Sequence, residues 1–417
     1  MNFKINGKTE SISRIIHYAI REMQVKAHML IPAIFPIAAP KLIGLALTSQ
    51  CNYRCSFCEI NGVVNKLSQT NNDYQKNQMS MEFVKSLSPL LKKALTIDLG
   101  GITAIGEPLM APDFQDICTY LRSINRSLRF HITTNGSLMK TAVTDTLLEL
   151  VPLTVTFSLH AISENIYKQI MSNSFEKTIE NIRYFCKKSQ NNTLVEKHIN
   201  FGVGTHNCDD GFKIIDFAKD NNIDFIHIYF YYQSPNDLSE KYSFYSDPEK
   251  GNEIIAAIYK HAEKSGIKMI PPEPPVLKPS CSPTIQNPTR CESSNRCQAP
   301  FDNLILKSNP FTKGKCGLCV CNRIIPFDIP INSSLKKEDI KWIWNHPLLQ
   351  MLRYNPSKSP ICTFCRSKET PFLRSTDYST YSLRRDNAIK ETLSQFQDYR
   401  VSPSGEVTLY SEHVYSI

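Results

Sequence analysis

The chain of 417 residues lacks several features that would define a simple class of protein. It has no uninterrupted apolar run of about 20 residues, the length that spans a membrane, because the nearest candidate, 29–47, contains Pro32, Pro36, Pro40 and Lys41. It has no internal repeat and no long low-complexity segment. Its Lys and Arg residues are scattered rather than gathered in runs, so the net charge of +9 does not indicate a nucleic-acid partner.

A recognisable signal peptide is also missing, although the chain has 14 cysteines. Most of them fall in two groups, 51–58 and 281–365, while Cys118, Cys186 and Cys208 stand alone and suit small core positions. Clustered cysteines without an export signal are typical of metal ligands in a reducing compartment rather than of disulfides. We therefore expect a cytoplasmic metalloprotein. Residues 11–30 predict an amphipathic helix that packs on its own domain, with a membrane surface as the alternative.

The first cysteine group places Cys51, Cys55 and Cys58 directly after the apolar run 42–47. A structural zinc site normally uses four protein ligands, often as two separated pairs. A cubane iron-sulfur cluster held by three thiolates instead keeps one iron open for another ligand. The spacing C-x3-C-x2-C therefore favours a catalytic cluster, against a zinc site or an unrelated loop.

This motif, with the aromatic Phe57 before its third cysteine, resembles the cluster motif of the radical S-adenosylmethionine enzymes. The resemblance implies that Cys51, Cys55 and Cys58 hold a [4Fe-4S] cluster whose open iron binds S-adenosylmethionine. One electron from the cluster would then cleave that cofactor to a deoxyadenosyl radical, which takes a hydrogen atom from the substrate. The electron would come from an external flavodoxin-like or ferredoxin-like donor.

Strand and helix patterns alternate after the cysteine loop, which predicts a parallel sheet with right-handed crossovers. The predicted strands are 42–48, 95–99, 128–134, 153–159, 198–205 and 224–232. The predicted helices are 81–93, 114–124, 141–150, 174–188, 211–220 and 248–265, with Asp247 as the cap of the last. The fold class is α/β, and the resemblance implies a partial (β/α)6 TIM-like barrel with active-site groups at the carboxyl ends of the strands.

Composition divides the chain into four parts. Residues 1–40 form an N-terminal helical extension and 41–270 form the barrel. A proline-rich linker at 271–275 opens a cysteine-rich domain, 271–366. The tail, 367–417, has little helical periodicity outside 387–396, and either is partly disordered or covers the barrel mouth.

The second predicted strand is followed by Gly106, Glu107, Pro108 and Leu109. These residues resemble the family's glycine-rich motif, which receives the amino group of S-adenosylmethionine. Ala104 or Ile105 stands where an earlier glycine of that motif is expected. The resemblance therefore assigns a cofactor-binding role only to Gly106, Glu107 and Pro108. Glycine permits close approach of backbone to a ligand, while a plain strand-to-loop turn is the alternative.

Polar residues follow the next three strands. Asn135 lies in a Thr-Thr-Asn-Gly sequence that resembles the family's turn at the barrel mouth, with an ordinary Asn-Gly turn as the alternative. Ser158 and Asn207 are further candidates for binding the cofactor, against a role in solvated loops. His160 resembles the same cofactor position, and it is our candidate catalytic residue, as a proton donor or acceptor for the substrate.

The second cysteine group resembles the extension called SPASM, or its shorter form, twitch. The resemblance implies an auxiliary [4Fe-4S] cluster, most simply held by Cys297, Cys316, Cys362 and Cys365. Cys319 or Cys321 could replace Cys316, and Cys291 could replace another ligand. The pairs Cys316/Cys319 and Cys362/Cys365 also have the spacing of a zinc ribbon.

These expectations define an oxidoreductase that modifies or crosslinks a peptide. The segment before the first strand looks too short for a domain that binds a leader peptide, which keeps radical dehydrogenation of a small molecule, such as an aminosugar alcohol, as the alternative. The third hypothesis, from a different functional class, is a zinc-stabilised binding module without catalytic activity. Iron and sulfide content separates that module from the enzymes.

Overall fold

The structure, a computed structural model, describes part of the chain: residues 2–5, 8–30, 38–56, 58, 77–100, 106–171, 174–230, 242–244, 247–277, 299–308, 315–320, 323–331, 333–345, 349 and 353. Three predicted cluster ligands, Cys297, Cys362 and Cys365, lie outside these residues, as do Phe57 and the predicted helix 387–396. For Cys316 and Cys319 the structure describes only the strand that contains them.

Twelve strands and eleven α-helices are described. The strands are β1 (Asn2–Ile5), β2 (Lys8–Ser11), β3 (Leu42–Leu45), β4 (Thr96–Leu99), β5 (Arg129–Thr134), β6 (Leu153–Ser158), β7 (Val195–Val203), β8 (Phe225–Phe230), β9 (Lys268–Ile270), β10 (Asn303–Ser308), β11 (Lys315–Val320) and β12 (Arg323–Pro330). The helices are α1 (Ile12–Leu30), α2 (Met81–Ser86), α3 (Ser88–Leu91), α4 (Phe114–Ile124), α5 (Thr141–Glu149), α6 (Glu164–Ile170), α7 (Phe175–Ser189), α8 (Asp210–Asp220), α9 (Pro248–Ser265), α10 (Ala299–Asp302) and α11 (Lys337–Trp344).

The main sheet has ten strands in the order β12-β11-β10-β3-β4-β5-β6-β7-β8-β9. All neighbours from β10 to β9 are parallel, whereas β11 and β12 are antiparallel additions beside β10. The described sheet does not close on itself, so the architecture is an open α/β barrel and the predicted fold class is confirmed. The six predicted strands are present as β3 to β8, and β9 and β10 extend the parallel sheet beyond them.

The alternating faces of the strands explain where the core lies. Apolar side chains on one face, such as Phe130 and Ile132 on β5 and Val155 on β6, belong to one buried cluster together with helix residues such as Ile117 and Ile182. Helices cover this face because parallel strands joined by crossover helices bury it against them. The other face of the same strands carries mostly polar side chains and forms the inside of the barrel.

The predicted helices that fall on described residues are present, with one exception, whereas α6, α10 and α11 were not predicted. The predicted helix 81–93 is divided into α2 and α3 at Leu87, since Pro89 lies at the start of α3. Proline lacks the N–H that would continue the helix and clashes with the preceding turn. The predicted start of α9 is confirmed, because the Asp247 side chain accepts a hydrogen bond from Lys250 N–H and Pro248 begins the helix.

The N-terminal helix α1 packs against the amino ends of the strands and against the C-terminal part of the chain. Arg14 donates to the Ser127 carbonyl (3.2 Å), while buried Arg21 donates to the Phe301 carbonyl (2.7 Å) and pairs with Asp302 (2.9 Å). The hairpin of β1 and β2, which we did not predict, precedes α1. Among the described helices, none is long and apolar enough to cross a membrane.

The proline-rich segment after β9 is held on helix α9. Asn252 contacts both backbone groups of Leu277, at 2.7 and 2.8 Å, and Leu277 is buried. The Tyr259 hydroxyl donates to the Pro271 carbonyl at 2.7 Å. The beginning of the linker thus continues the packed structure of the barrel.

Candidate active site

The three-thiol loop, Cys51 to Cys58, leaves the carboxyl end of β3 and is held first by its entry segment, 48–50. Ser49 N–H donates to the Asn77 carbonyl at 2.9 Å, and Glu107 N–H donates to the Gln50 carbonyl at 2.8 Å. At Gly106, an added Cβ would lie 2.4 Å from the Thr48 oxygen. Glycine is therefore required here because the chain's own backbone approaches it, a reason different from the ligand approach that the sequence suggested.

A buried tyrosine inside the motif fixes the middle of the loop. Tyr53 is 2% exposed, and its hydroxyl lies 2.7 Å from Thr178 Oγ1 and 3.0 Å from the Tyr167 hydroxyl. Ser56 N–H donates to the Ile170 carbonyl at 2.9 Å. The loop is thus attached to helices α6 and α7, which follow the fourth barrel strand. Neither contact was expected from the sequence.

A ring of side-chain hydrogen bonds joins the loop to the turn after β5. The Asn52 amide donates to Ser137 Oγ (2.8 Å), Ser137 Oγ donates to Asn135 Oδ1 (2.7 Å), and the Asn135 amide donates to Asn52 Oδ1 (2.9 Å). The amide orientations are those that satisfy the ring. Asn135, a predicted cofactor residue, therefore orients the segment between the first two cysteines.

Glu107 links the glycine-rich turn to the turn that follows β5. Its carboxylate accepts from Thr134 Oγ1 at 2.7 Å and from Asn135 N–H at 2.8 Å. The side chain is buried, and this burial raises its pKa to about 7 despite these hydrogen bonds. Pro108, the third residue of the predicted motif, is also buried and opens a short 3-10 turn, Pro108–Met110. The predicted cofactor residue Glu107 thus contacts the turn after β5, and its role in binding a cofactor stays a prediction.

The thiols face an electrostatic environment that disfavours their ionisation in the absence of a cation. Burial raises the pKa of Cys51 to about 11 and also raises that of Cys55, with Glu107 and the neighbouring thiols adding to the effect. Positively charged iron would reverse this balance, because a coordinated thiol is deprotonated outright. Three thiols beside a buried carboxyl group therefore fit a cationic iron-sulfur centre.

The described residues contain no three His, Cys, Asp or Glu side chains arranged to hold one metal ion. The three thiolates that hold a cubane bind three different irons, so they need not converge on one point. The arrangement of the loop thus differs from a mononuclear site and is compatible with a cluster.

The predicted residues after β6 and β7 fall into two kinds. Ser158 is half-buried at the end of β6, opposite Asn200, and its hydroxyl makes no hydrogen bond to another described residue. Asn207 is buried, and its amide donates to the carbonyls of His160 (2.7 Å) and Gly202 (2.8 Å). Asn207 thus organises the two loops, while Ser158 has a hydroxyl available for a ligand.

His160 is also part of this loop contact. Its Nδ1 accepts from Gly202 N–H at 2.9 Å, and burial lowers its pKa to about 3. A neutral imidazole whose Nδ1 accepts a hydrogen bond carries its proton on Nε2. With this pKa His160 is neutral near pH 7, so its environment favours the proton donor over the proton acceptor of the two predicted roles, and the catalytic role itself stays a prediction.

Asp210, which sequence reasoning missed, joins the same two loops. Its carboxylate accepts from the N–H groups of Ile162 and Ser163, both at 2.8 Å, and from the Ser163 hydroxyl. It is 2% exposed at the first turn of α8. A buried carboxylate that accepts three hydrogen bonds holds the mouth of the barrel at this side.

The fold and these donors define an α/β protein that presents three thiols at the carboxyl edge of a parallel sheet. Residues 45–218 match the family model described as the Radical SAM superfamily. The match covers less than half of the chain and concerns the barrel segment, which is thus similar to the radical SAM superfamily, whose enzymes use a [4Fe-4S] cluster and S-adenosylmethionine.

Two relatives indicate how far the sequence similarity extends. A "Probable GTP 3',8-cyclase" of Saccharolobus solfataricus is 27% identical over 192 residues, which are 45% of this chain and 55% of the relative. A protein of the same name from Sulfolobus acidocaldarius is 29% identical over 189 residues, 45% of this chain and 54% of the relative. The chain thus matches about half the length of these relatives.

Solved structures agree in fold over more of the chain. SuiB of Streptococcus suis bound to S-adenosylmethionine has a TM-score of 0.52 at 16% identity, covering 83% of this chain and 72% of SuiB. A second is anSMEcpe with bound AdoMet, which has a TM-score of 0.51 at 15% identity and covers 86% of this chain and 99% of that protein. At these identities the likeness concerns the fold.

Proposed function

We propose that this protein is a radical S-adenosylmethionine enzyme that oxidatively modifies or crosslinks a peptide. The observation that carries the proposal is the attachment of the three-thiol loop to Glu107 and Asn135 at the carboxyl edge of the sheet. These contacts hold the loop in place through the chain's own hydrogen bonds.

In this proposal Cys51, Cys55 and Cys58 hold the catalytic cluster. Gly106, Glu107, Pro108, Asn135, Ser158 and Asn207 surround S-adenosylmethionine. When bound, the cluster and S-adenosylmethionine supply a radical that removes a hydrogen atom from the substrate. The Glu107 carboxylate keeps lone pairs for an ammonium group beyond those used by Thr134 and Asn135, and a cation there would stabilise its ionised form. Ser158 Oγ offers a hydrogen bond to a bound hydroxyl or carboxylate.

We further propose that residues 271–366 form a SPASM or twitch extension, with Cys297, Cys316, Cys362 and Cys365 on an auxiliary cluster. Support comes from the placement of β11, which contains Cys316 and lies two strands from β3, the strand that leads to the catalytic loop. A closed four-thiolate cluster transfers electrons rather than binding substrate. A zinc ribbon held by the pairs Cys316/Cys319 and Cys362/Cys365 remains the alternative.

A peptide is the substrate that the structural neighbours favour. SuiB bound to its precursor peptide SuiA has a TM-score of 0.51 to this chain, covering 84% of this chain and 74% of SuiB. The relatives named as GTP 3',8-cyclases instead favour a small molecule, which keeps that class, with aminosugar alcohols, as the second candidate. An external flavodoxin-like or ferredoxin-like electron donor and a cytoplasmic location belong to the same proposal.

The first experiment measures iron, sulfide and zinc in the full chain after anaerobic reconstitution, with electron paramagnetic resonance of the reduced protein. Two cubanes would give about eight irons per chain, falling to about four in Cys55→Ala. Cys208→Ala, which removes a lone half-buried thiol, is the matched control and should keep all the iron. About four irons with about one zinc would assign the extension to a ribbon. Zinc without iron would contradict the proposed enzyme class.

The second experiment identifies the substrate class from deoxyadenosine formation. The reconstituted protein receives S-adenosylmethionine and dithionite with SuiA, with GTP, or with a panel of aminosugars as probes. Stimulation by SuiA, together with a mass change in the peptide, supports peptide modification. Stimulation by GTP or an aminosugar alone would overturn the peptide assignment in favour of small-molecule chemistry.

A further inference from the structure

The inner face of the barrel sheet carries a line of polar side chains that the proposed cofactor site does not use. Asp98 on β4 is in register with His131 on β5, and Thr156 on β6 is in register with His198 on β7, while His131 and Thr156 are diagonal neighbours. The interior of a closed TIM barrel is usually filled by branched apolar side chains. Polar groups at these positions instead favour an interior that receives a polar molecule.

Asp98, His131 and Thr156 form a connected set. Asp98 Oδ2 lies 2.6 Å from His131 Nδ1, and His131 Nε2 lies 3.0 Å from Thr156 Oγ1. The Asp98 side chain is fully buried, whereas that of His131 is 28% exposed. The carboxylate is thus shielded behind the imidazole, and a molecule inside the barrel reaches the imidazole first.

The carboxylate determines which ring nitrogen carries the proton. The Asp98 Oδ2 contact lacks the angle of an ordinary hydrogen bond, but a carboxylate oxygen 2.6 Å from a ring nitrogen is favourable only if that nitrogen carries a proton, so we place the proton of His131 on Nδ1. Nε2 is then an acceptor, and the Thr156 hydroxyl donates to it. A buried aspartate that orients a histidine also stabilises the imidazolium formed when Nε2 takes up a proton.

His131 therefore has the properties that His160 lacks. The Nδ1 of His160 already accepts the N–H of Gly202, and burial keeps its ring neutral near pH 7. His198 is engaged by a second histidine, since its Nδ1 lies 2.9 Å from His227 Nε2, and its side chain is only 7% exposed. Among these three inner histidines, His131 combines a carboxylate partner with exposure to the interior.

We propose that His131 is the proton acceptor of the reaction, a catalytic residue that contacts the substrate, and that Asp98 is its positioning residue. This inference rests on the proposed function and specifies a substrate with a hydroxyl on the carbon that is oxidised. The substrate hydroxyl replaces Thr156 as the donor to Nε2. Substrates of this class include a serine or threonine side chain and a sugar alcohol.

The oxidation balances as follows for a group H–C–O–H. The C–H hydrogen atom leaves with the deoxyadenosyl radical of the proposed chemistry, and the O–H proton moves to His131 Nε2. The remaining electron would go to an oxidised iron-sulfur centre of the proposed function as the carbon-oxygen double bond forms. His131 thus removes the O–H proton, a step that hydrogen-atom abstraction by a carbon radical does not perform.

The first test is ¹⁵N NMR of the histidine rings in the full-length protein before reconstitution, with His131→Gln identifying the resonances. We expect Nδ1 of His131 to be protonated and Nε2 to be unprotonated. Asp98→Asn should invert this tautomer, because the amide can donate to Nδ1. A proton on Nε2 in the wild-type protein would overturn the proposal without reference to any activity.

The second test uses the substrate that stimulates deoxyadenosine formation in the assay above, and it compares deoxyadenosine with product. General base catalysis typically contributes about 10²–10⁴-fold. His131→Gln should therefore raise the deoxyadenosine formed per product by about 100-fold or more, and Asp98→Asn should raise it less. His261→Gln, on the outer helix α9, is the control.

The outcomes separate this inference from the function on which it rests. An unchanged ratio in His131→Gln would overturn the role of His131 and leave the enzyme class intact. If the wild-type protein binds iron but cleaves no S-adenosylmethionine, the proposed function itself has failed. Even in that case, an NMR result with Nε2 of His131 protonated would refute the proposed arrangement of Asp98 and His131.

Discussion

Acid should destabilise this protein through His160, and the size of the effect follows from its burial. Burial lowers the pKa of His160 to about 3 from an ordinary 6.5. Below pH 6.5 the unfolded chain binds a proton that the folded protein excludes, so stability present above pH 6.5 is lost progressively toward pH 3. Between pH 7 and pH 5 this one group should remove about 2 kcal/mol.

His160→Asn tests this magnitude, since the Asn side chain can still accept the Gly202 N–H in place of Nδ1. The free energy of unfolding, from urea titrations of the cluster-free protein at pH 7 and pH 5, should fall by about 2 kcal/mol less in the variant than in the wild type. His261→Asn, at a partly exposed position, controls for the loss of one imidazole. Equal losses in wild type and His160→Asn would show that the buried ring accepts a proton, and would refute the reasoning.

Three further substitutions probe the loops around the thiols. Gly106→Ala places a Cβ 2.4 Å from the Thr48 oxygen, so we expect a loss of about 1–3 kcal/mol and reduced iron after reconstitution; full iron content would contradict the packing argument. Tyr53→Phe removes a buried hydroxyl with two partners and should cost about 1–2 kcal/mol in urea unfolding, whereas an unchanged midpoint would count against it. Asp210→Ala leaves the N–H and hydroxyl of Ser163 without their acceptor and should lower stability by at least about 2 kcal/mol, so a wild-type melting temperature would disprove its role.

The barrel strands could be predicted because parallel strands covered by helices read as short apolar runs. The predicted strand 128–134 contains all of β5, Arg129–Thr134. The same rule missed β9, since Lys268–Ile270 is only three residues long, and it did not assign Asn303–Ser308, a β-like stretch of the cysteine-rich segment, to the barrel sheet.

The N-terminal hairpin and the break near Pro89 carried local signals that we did not weigh. Asn6-Gly7, the pair most typical of a two-residue hairpin, stands between β1 and β2. Pro89 stands inside the predicted helix 81–93. These differences arise from local sequence rules rather than from long-range packing.

The candidate site was predictable where a motif stands at a strand end and unpredictable where contacts cross the sheet. Glu107 and Asn135 were found from their positions after consecutive strands, and the structure brings them into contact at 2.8 Å. The partnership of Asp98 with His131 depends on the register of two strands. No spacing along the chain encodes that register, so the pair emerges only from the fold.

The pairing of strand β10 with β3 has a consequence for the synthesis of the protein on the ribosome. The two strands pair from Asn303↔Leu42 to Leu306↔Leu45, so about 260 residues must be synthesised before β3 acquires this neighbour. At about 5–20 residues per second, the interval is roughly 10–50 s. During that time the strand that leads to the cluster loop has an unpaired edge, which is a site for association with other chains.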